Sequence, residues 1–93
     1  DRLDAYRLFV RAAETGGISR AARELGLTQP AASRLLGALE DQLGARLFAR
    51  STRSLTLTEA GGLALDRARA VLAEVDGLEA AVHGLDRIPT GLL

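Results

Sequence analysis

The sequence predicts a mainly α-helical fold: a winged helix-turn-helix of three helices and a two-stranded wing, followed by a long helix. Of the 93 residues, 47% are hydrophobic but only three are aromatic, and a chain rich in alanine and leucine favours helices. Apolar residues recur at helical spacing up to residue 44 and again from residue 58, whereas residues 45–57 change to the alternation typical of strands. A chain of this length forms one compact domain with at most an appended element.

The composition excludes several kinds of site. There is no cysteine and only one histidine, His83, so disulfides and metal clusters built on cysteine or histidine are not expected. The sequence has no Ser/His/acid set and no phosphate-binding glycine loop, and we therefore expect neither an enzyme nor a bound cofactor. No apolar run is long enough to span a membrane and no signal peptide opens the chain, which predicts a soluble, cytoplasmic protein without a membrane partner.

Charge is distributed unevenly along the chain although the formal net charge is zero. Residues 1–58 hold nine arginines and six acidic residues, whereas residues 59–93 hold three arginines and six acidic residues. The first part is therefore the positive one, and a positive field on one part of a domain is what docking on phosphates requires.

The first three helices follow from apolar spacing and from cap residues. The first helix is predicted over residues 3–14. Ser19 is expected to cap the second helix with its hydroxyl, and Gly26 lies where the chain must reverse, since glycine enters positive φ at little cost. Thr28 is expected to cap the third helix, whose first turn accepts Pro30. The inner side of the first helix is expected to hold Ala5, Leu8, Phe9, Ala12 and Ala13.

The third helix, which is predicted to extend to about Gln42 and to be closed by Gly44, has two unlike sides. Any helical hairpin with a polar outer face would share this pattern. Glutamine, serine and arginine near a helix N-terminus are, however, the side chains that pair with base edges in a DNA major groove. The side expected to face the core holds Ala32, Leu35, Leu36, Leu39 and Leu43. The opposite side holds Gln29, Pro30, Ser33, Arg34 and Gly37.

Residues 45–57 predict two short strands joined by a basic loop, a wing beside the helices. The apolar residues of the strands must pack on the helices, because an isolated hairpin is marginally stable in water. Arg50 and Arg53 would then project where a wing reaches nucleic acid. The alternative is ordinary surface charge or an ion pair, such as one between Arg50 and Glu40.

A long helix is predicted from the cap residue Thr58 to about Asp86. Its apolar residues repeat in steps of four and three, the heptad spacing of a coiled-coil seam. So long a helix cannot bury this stripe against so small a domain, and we expect a second copy of the chain to cover it. His83 flanks the stripe as either solvated surface or a pH-sensitive contact. The expected dimerisation residues are Leu65, Ala68, Val71, Leu72, Val75, Leu78, Val82 and Leu85.

With these segments in place, the sequence resembles the N-terminal region of LysR-type transcriptional regulators over essentially its whole length. The matching segments are FVRAA at 9–13, SRAARELGL at 19–27, TQPAASR at 28–34, LE at 39–40, LG at 43–44 and LFARSTRSLTLTEAG at 47–61. The pairing of QPAASR with the last segment is far more specific than a generic helix-turn-helix.

The resemblance implies a sequence-specific DNA-binding domain that binds double-stranded DNA as a homodimer on an interrupted inverted repeat. Residues 1–58 would be the winged helix-turn-helix and residues 59–87 the linker helix. Residues 88–93 would begin an effector-binding domain, absent here, that takes a small-molecule effector. From the residues and the resemblance together, the expected DNA-binding residues are Ser19, Thr28, Gln29, Pro30, Ser33, Arg34, Arg50 and Arg53.

Two residues depart from the family pattern. Gly37 stands where the family often has lysine or arginine, so one phosphate contact is expected to be missing, and Ala32 stands where valine or leucine is usual, which alters the packing between two helices. Two alternatives stay open. One is a protein-interaction module that keeps the winged fold without binding DNA, which the neutral net charge favours. The other is a winged-helix regulator of a different family, which the long heptad helix disfavours.

Overall fold

The computed structural model describes residues 1–50 and 55–86. Within them, none of the helices is long and apolar enough to cross a lipid bilayer. The predicted fold class is confirmed, and the predictions that concern residues 51–54 and 87–93 lie outside the described residues. In chain order the elements are α1 Arg2–Thr15, α2 Ile18–Glu24, α3 Gln29–Leu43, β1 Phe48–Arg50, β2 Leu55–Leu57 and α4 Glu59–Asp86.

Helix α1 is longer than predicted by one residue at each end because both ends are capped. The Asp1 carboxylate accepts the backbone N–H of Leu3 at 3.0 Å. At the other end Gly16 adopts φ 81°, a left-handed conformation that glycine enters readily, and its N–H donates to a carbonyl in the last turn. The inner face of α1 is close to the predicted one, with Val10 added and Ala13 only half-buried. Its buried residues are Ala5, Leu8, Phe9, Val10 and Ala12.

The predicted cap of α2 is wrong. Helix α2 begins at Ile18, its N-cap is Gly17 in an extended conformation, and no side chain caps it. Ser19 therefore lies inside the first turn of the helix and is exposed. The helix begins two residues earlier than a cap at Ser19 predicts because Ile18 packs against the core from its first position, so burial of its side chain takes precedence over a hydroxyl cap.

The turn between α2 and α3 follows the prediction. Gly26 has φ 71°, and the N–H of Leu27 next to it donates to the carbonyl of Ala22 at 2.8 Å. Thr28 then caps α3, its hydroxyl oxygen accepting the N–H of Ala31 at 3.2 Å. At the inner faces of the two helices, three alanines are at most 2% exposed, and side chains this small allow two helices to pack closely. These alanines are Ala21, Ala22 and Ala32.

The wing is joined to the helices through its first strand. Strands β1 and β2 pair antiparallel, with Phe48 opposite Leu57. The ring of Phe48 meets that of Phe9 edge to face, with centroids 5.5 Å apart. Leu47, just before β1, is 1% exposed, and its N–H donates to the buried carboxylate of Glu40 at 2.7 Å. The hairpin is therefore stabilised by tertiary packing and by α3.

Helix α4 begins directly against the start of the wing. The Thr58 hydroxyl accepts the N–H of Gly61 at 2.9 Å, as its predicted cap role requires, and donates to the carbonyl of Arg46 at 2.5 Å. The N–H of Thr58 donates to the carbonyl of Leu47 at 3.0 Å. A Cβ on Gly61 would lie 2.0 Å from the same carbonyl oxygen, which leaves room only for glycine. Further along α4, Leu65 joins the core.

We expect Gly61→Ala to lower the free energy of unfolding by about 1–3 kcal/mol, because the added methyl collides with backbone that cannot move aside. Gly62→Ala is the matched control, since nothing lies within 4 Å of a Cβ there. That change should raise stability by up to about 1 kcal/mol through helix propensity. Urea unfolding of both variants measures the difference, and equal stabilities would contradict the close approach of α4 to Leu47.

Candidate nucleic-acid interface

Helix α3 presents a continuous polar side that the described residues leave exposed. Gln29, Pro30, Ser33 and Arg34 are exposed on this side, and Gly37 is half-buried with open space around its Cα. On the opposite side Ala32, Leu36 and Leu39 are at most 2% exposed. Leu43 lies on the same side, as predicted, but is 50% exposed because it lines an open apolar groove beside Leu39.

The polar side of α3 is concentrated at the N-terminal end of the helix. Thr28, Gln29, Pro30, Ser33 and Arg34 all fall in the cap and the first two turns. Here the unpaired backbone N–H groups and the helix dipole favour negative charge. Pro30 lacks an N–H and fits this turn without loss. The end of the helix that carries Gln29, Ser33 and Arg34 is thus also the end that favours an anion.

The exposed arginines and the acidic residues of the first three helices have different surroundings. Arg23, Arg34 and Arg46 are exposed and form no ion pair with any residue in the described ranges. Glu24, by contrast, is held by Arg11, and Glu40 is buried beneath the start of the wing. Three positive charges of this part of the chain therefore face solvent unpaired, and two of its negative charges are engaged within the protein, while Asp41 on α3 stays exposed.

The remaining predicted site residues lie on other elements. Ser19 is exposed in the first turn of α2, away in sequence from the α3 cluster. Arg50 ends β1 and pairs in register with Leu55. Arg53 falls among residues 51–54, outside the described residues, so its role at the wing stays a prediction.

An ion-pair network that the sequence reasoning missed joins three helices. Arg11 on α1 donates to Glu24 on α2 and to Glu14 on its own helix, and Arg69 on α4 donates to Glu14. These hydrogen bonds to Arg11 lower the pKa of Glu24 and Glu14, and they raise the pKa of Arg11 above its ordinary value. The spacing of Arg11 and Glu14 was readable from the sequence as a helical pair. The other two contacts span 13 and 55 residues, which no local pattern reveals.

The apolar stripe of α4 divides into two parts. Leu65 and Ala68 are 9% and 6% exposed and belong to the core of their own domain, and Ala68 also lines an open apolar groove. Leu72 is half-buried against the same core, and Val75 is half-buried. His83 beside the stripe is exposed. The exposed part of the stripe consists of Val71, Leu78, Val82 and Leu85, which are 41–65% exposed.

An apolar groove of about 350 Å³ continues this exposed stripe onto the globular part of the domain. Its lining includes Tyr6 from α1, Leu43 from α3 and Val71 from α4. Leu63, also in the lining, is 66% exposed. Large exposed apolar patches mark interaction surfaces in water-soluble domains. The groove and the exposed stripe therefore form one candidate protein interface, separate from the polar side of α3.

Comparison with known proteins identifies relatives. The family described as bacterial regulatory helix-turn-helix protein, lysR family, matches residues 3–62. A helix-turn-helix transcriptional repressor from Pseudomonas aeruginosa is 39% identical over 93 residues, which are 100% of this chain and 29% of the repressor. The SDS degradation transcriptional activation protein of a Pseudomonas species is 45% identical over 91 residues, which are 98% of this chain and 30% of that protein.

Solved structures give the same result. The protein chain of the BenM_DBD/catB site 1 DNA complex aligns with a TM-score of 0.87 at 29% identity, and the alignment covers 94% of this chain and 97% of that chain. The present chain spans less than a third of the length of the two curated relatives. Both relatives are named as regulators of transcription, and the prediction that the chain is not an enzyme is confirmed. The chain belongs to the lysR family of bacterial regulatory helix-turn-helix proteins.

Proposed function

We propose that this chain is the DNA-binding domain of a transcription regulator, acting in the bacterial cytoplasm, and that it inserts α3 into the major groove of double-stranded DNA. The observation that carries the proposal is the polar N-terminal half of α3, exposed opposite the buried side chains of Ala32, Leu36 and Leu39. A similar chain bound to DNA, that of the BenM complex, supports it. The uncompensated arginines supply attraction to phosphates, which is the source of affinity for any duplex.

Within this interface the residues divide into those that read bases and those that position the domain. Arg34 has the planar fork that grips guanine through two hydrogen bonds, and Gln29 can grip adenine in the same way. Ser33 and Pro30 contact the edges of bases that lie between those read by Gln29 and Arg34. Ser19 and Thr28 lie near phosphates, and the wing arginines Arg50 and Arg53 contact the adjacent backbone or minor groove. Sequence choice therefore comes from α3, and affinity comes from the whole basic surface.

We further propose that two copies pair through the exposed part of the α4 stripe and bind an interrupted inverted repeat. In this proposal residues 1–58 read a half-site and residues 59–87 pair the copies. A helix whose apolar residues stay 41–65% exposed in one chain gains the most from a partner that covers them. Two-fold pairing presents two α3 helices at once, so that half-sites about one helical turn or its multiples apart are met together.

We expect Arg34→Ala to cost about 1–3 kcal/mol per half-site on the preferred sequence and much less on random duplex, because it removes a bidentate base contact. The preferred sequence is first obtained by selection from random duplexes with the purified chain. Arg34→Lys is the matched control: it keeps the charge but not the fork, and should lose sequence preference while retaining low-salt binding. Equal losses on selected and random duplex would refute a base-reading role. Failure of the wild-type chain to bind any duplex at low salt would instead favour the protein-interaction alternative.

We expect Gly37→Arg to strengthen binding to random duplex and to steepen its salt dependence by about one released counterion, because an arginine here would reach a phosphate. Gly37→Ala separates this effect from stability, since both substitutions remove a helix glycine and should stabilise the fold by about 1 kcal/mol. Mobility-shift titrations at several salt concentrations measure the slopes. If the two variants bind duplex DNA alike, position 37 does not face the phosphate backbone of the DNA.

We expect Leu78→Glu to convert the dimer to a monomer, because it places a charge in the centre of the proposed seam. Leu78 is 65% exposed within one chain, so the fold of the domain itself should be unaffected. Ala80→Glu, on the opposite side of α4, is the control and should leave the dimer intact. Analytical ultracentrifugation distinguishes the two, and a dimeric Leu78→Glu variant would place the interface elsewhere.

A further inference from the structure

The ion-pair network forms a continuous chain from α4 to α2. The guanidinium of Arg11 is bidentate on Glu24, with Nε to Oε1 at 2.6 Å and Nη2 to Oε2 at 3.0 Å. Its Nη1 donates to Oε1 of Glu14 at 2.7 Å, and Nη2 of Arg69 donates to the other oxygen of Glu14 at 3.2 Å. Both oxygens of both carboxylates are therefore engaged. Charge-assisted and bidentate contacts of this kind are strongly directional.

The chain of contacts lies where α4 leaves the globular part of the molecule. Arg69 follows the buried Ala68, and the last side chain of α4 that packs against the core is Leu72. Beyond it, Leu78 and the later apolar residues of the helix are exposed. Arg69 thus makes the polar contact of α4 nearest to this point of departure among the described residues.

At the other end the network holds the helix-turn-helix. Glu24 is the last residue of α2, and the turn at Gly26 leads directly into α3. Helices α2 and α3 pack against each other through three buried alanines. A displacement of α4 relative to Glu24 is therefore also a displacement relative to the polar side of α3.

Apolar packing holds the first turns of α4, where Leu65 lies in the core, but it constrains the helix less toward the point of departure. Near the point of departure α4 contributes small or half-buried side chains, Ala68 and Leu72, whose burial is favourable over a range of angles because the hydrophobic effect is non-directional. Seventeen residues of α4 follow Arg69, which is about 25 Å of helix. A rotation of about 10° there would move the far end by about 4 Å, more than the ~3.4 Å rise of one base pair.

We propose that the chain Glu24–Arg11–Glu14–Arg69 fixes the angle between α4 and the helix-turn-helix, and so determines which half-site separation the dimer accepts. The four side chains are positioning residues that touch no DNA. The inference rests on the proposed dimeric DNA-binding function. It predicts that breaking the network changes tolerance of spacer length while leaving the reading of a single half-site unchanged.

The angle can be measured without DNA. The chain has no cysteine, so cysteines introduced at the exposed positions Gln42 on α3 and Ala80 on α4 carry the only spin labels. Labelled chains diluted in excess unlabelled chain report the distance within one protomer by double electron–electron resonance. Arg69→Gln should broaden this distance distribution, and the double variant with Glu14→Gln should be no broader than the broader single variant. Arg67→Gln, an exposed arginine of α4 outside the network, should match the wild type.

The consequence for DNA is measured on the selected inverted repeat with one to three base pairs added to or removed from its spacer. The wild type should prefer one spacer, and Arg69→Gln should flatten that preference about threefold, the order expected for loss of one exposed ion pair. Affinity for a single half-site should not change. Unaltered distances together with an unaltered spacer preference would overturn the inference. If the wild type binds no DNA, the proposed function fails, and the distance measurement alone decides whether the network fixes the angle.

Discussion

The geometry of the domain depends on Leu47, where the three parts of the fold meet. Its side chain is 1% exposed in the core, its N–H donates to Glu40 on α3, and its carbonyl accepts the N–H of Thr58 at the start of α4. The same carbonyl excludes any side chain at Gly61. One residue thus ties the wing to α3 on one side and to α4 on the other, which is why a hairpin of two three-residue strands is held at all.

Electrostatics reinforces this arrangement by engaging negative charge inside the protein. The carboxylate of Glu40 accepts a buried backbone N–H, so its charge stabilises the fold and is withdrawn from the surface. The carboxylate of Glu24 is likewise bound by Arg11. A chain with zero net charge therefore presents Arg23, Arg34 and Arg46 exposed and without an ion pair to any residue in the described ranges, although Asp41 on α3 is exposed as well. The distribution of the charges, more than their sum, is what matches a phosphate backbone.

Local chemistry was readable from the sequence and long-range chemistry was not. Gly26, Gly44, Thr28 and Thr58 were predicted correctly because each acts on backbone within a few residues of itself. Ser19 was assigned wrongly because a cap signal competes with the burial of its neighbour, which a sequence pattern does not weigh. The network of Arg11 and the collision at Gly61 were missed, since both arise between segments far apart in the chain. The polar side of α3 was predicted as a surface, and its contacts with bases stay a prediction.

The heptad stripe of α4 shows most clearly what periodicity leaves undetermined. Ala68 and Val82 occupy equivalent heptad positions, fourteen residues apart, yet the first is 6% exposed in the core and the second is 52% exposed. The spacing of apolar residues specifies that a helix has an apolar side. Whether each turn of that side packs on the core of its own domain or stays exposed depends on where the globular part of the chain ends. Past that point Gly77 and Gly84 lower the intrinsic helix propensity of α4. Within the described residues nothing lies within 4 Å of a Cβ at either glycine, so no tertiary packing stabilises the helix at these two positions. The outer half of α4 therefore gains most of its stability from whatever covers its stripe, so pairing and helix formation there are coupled.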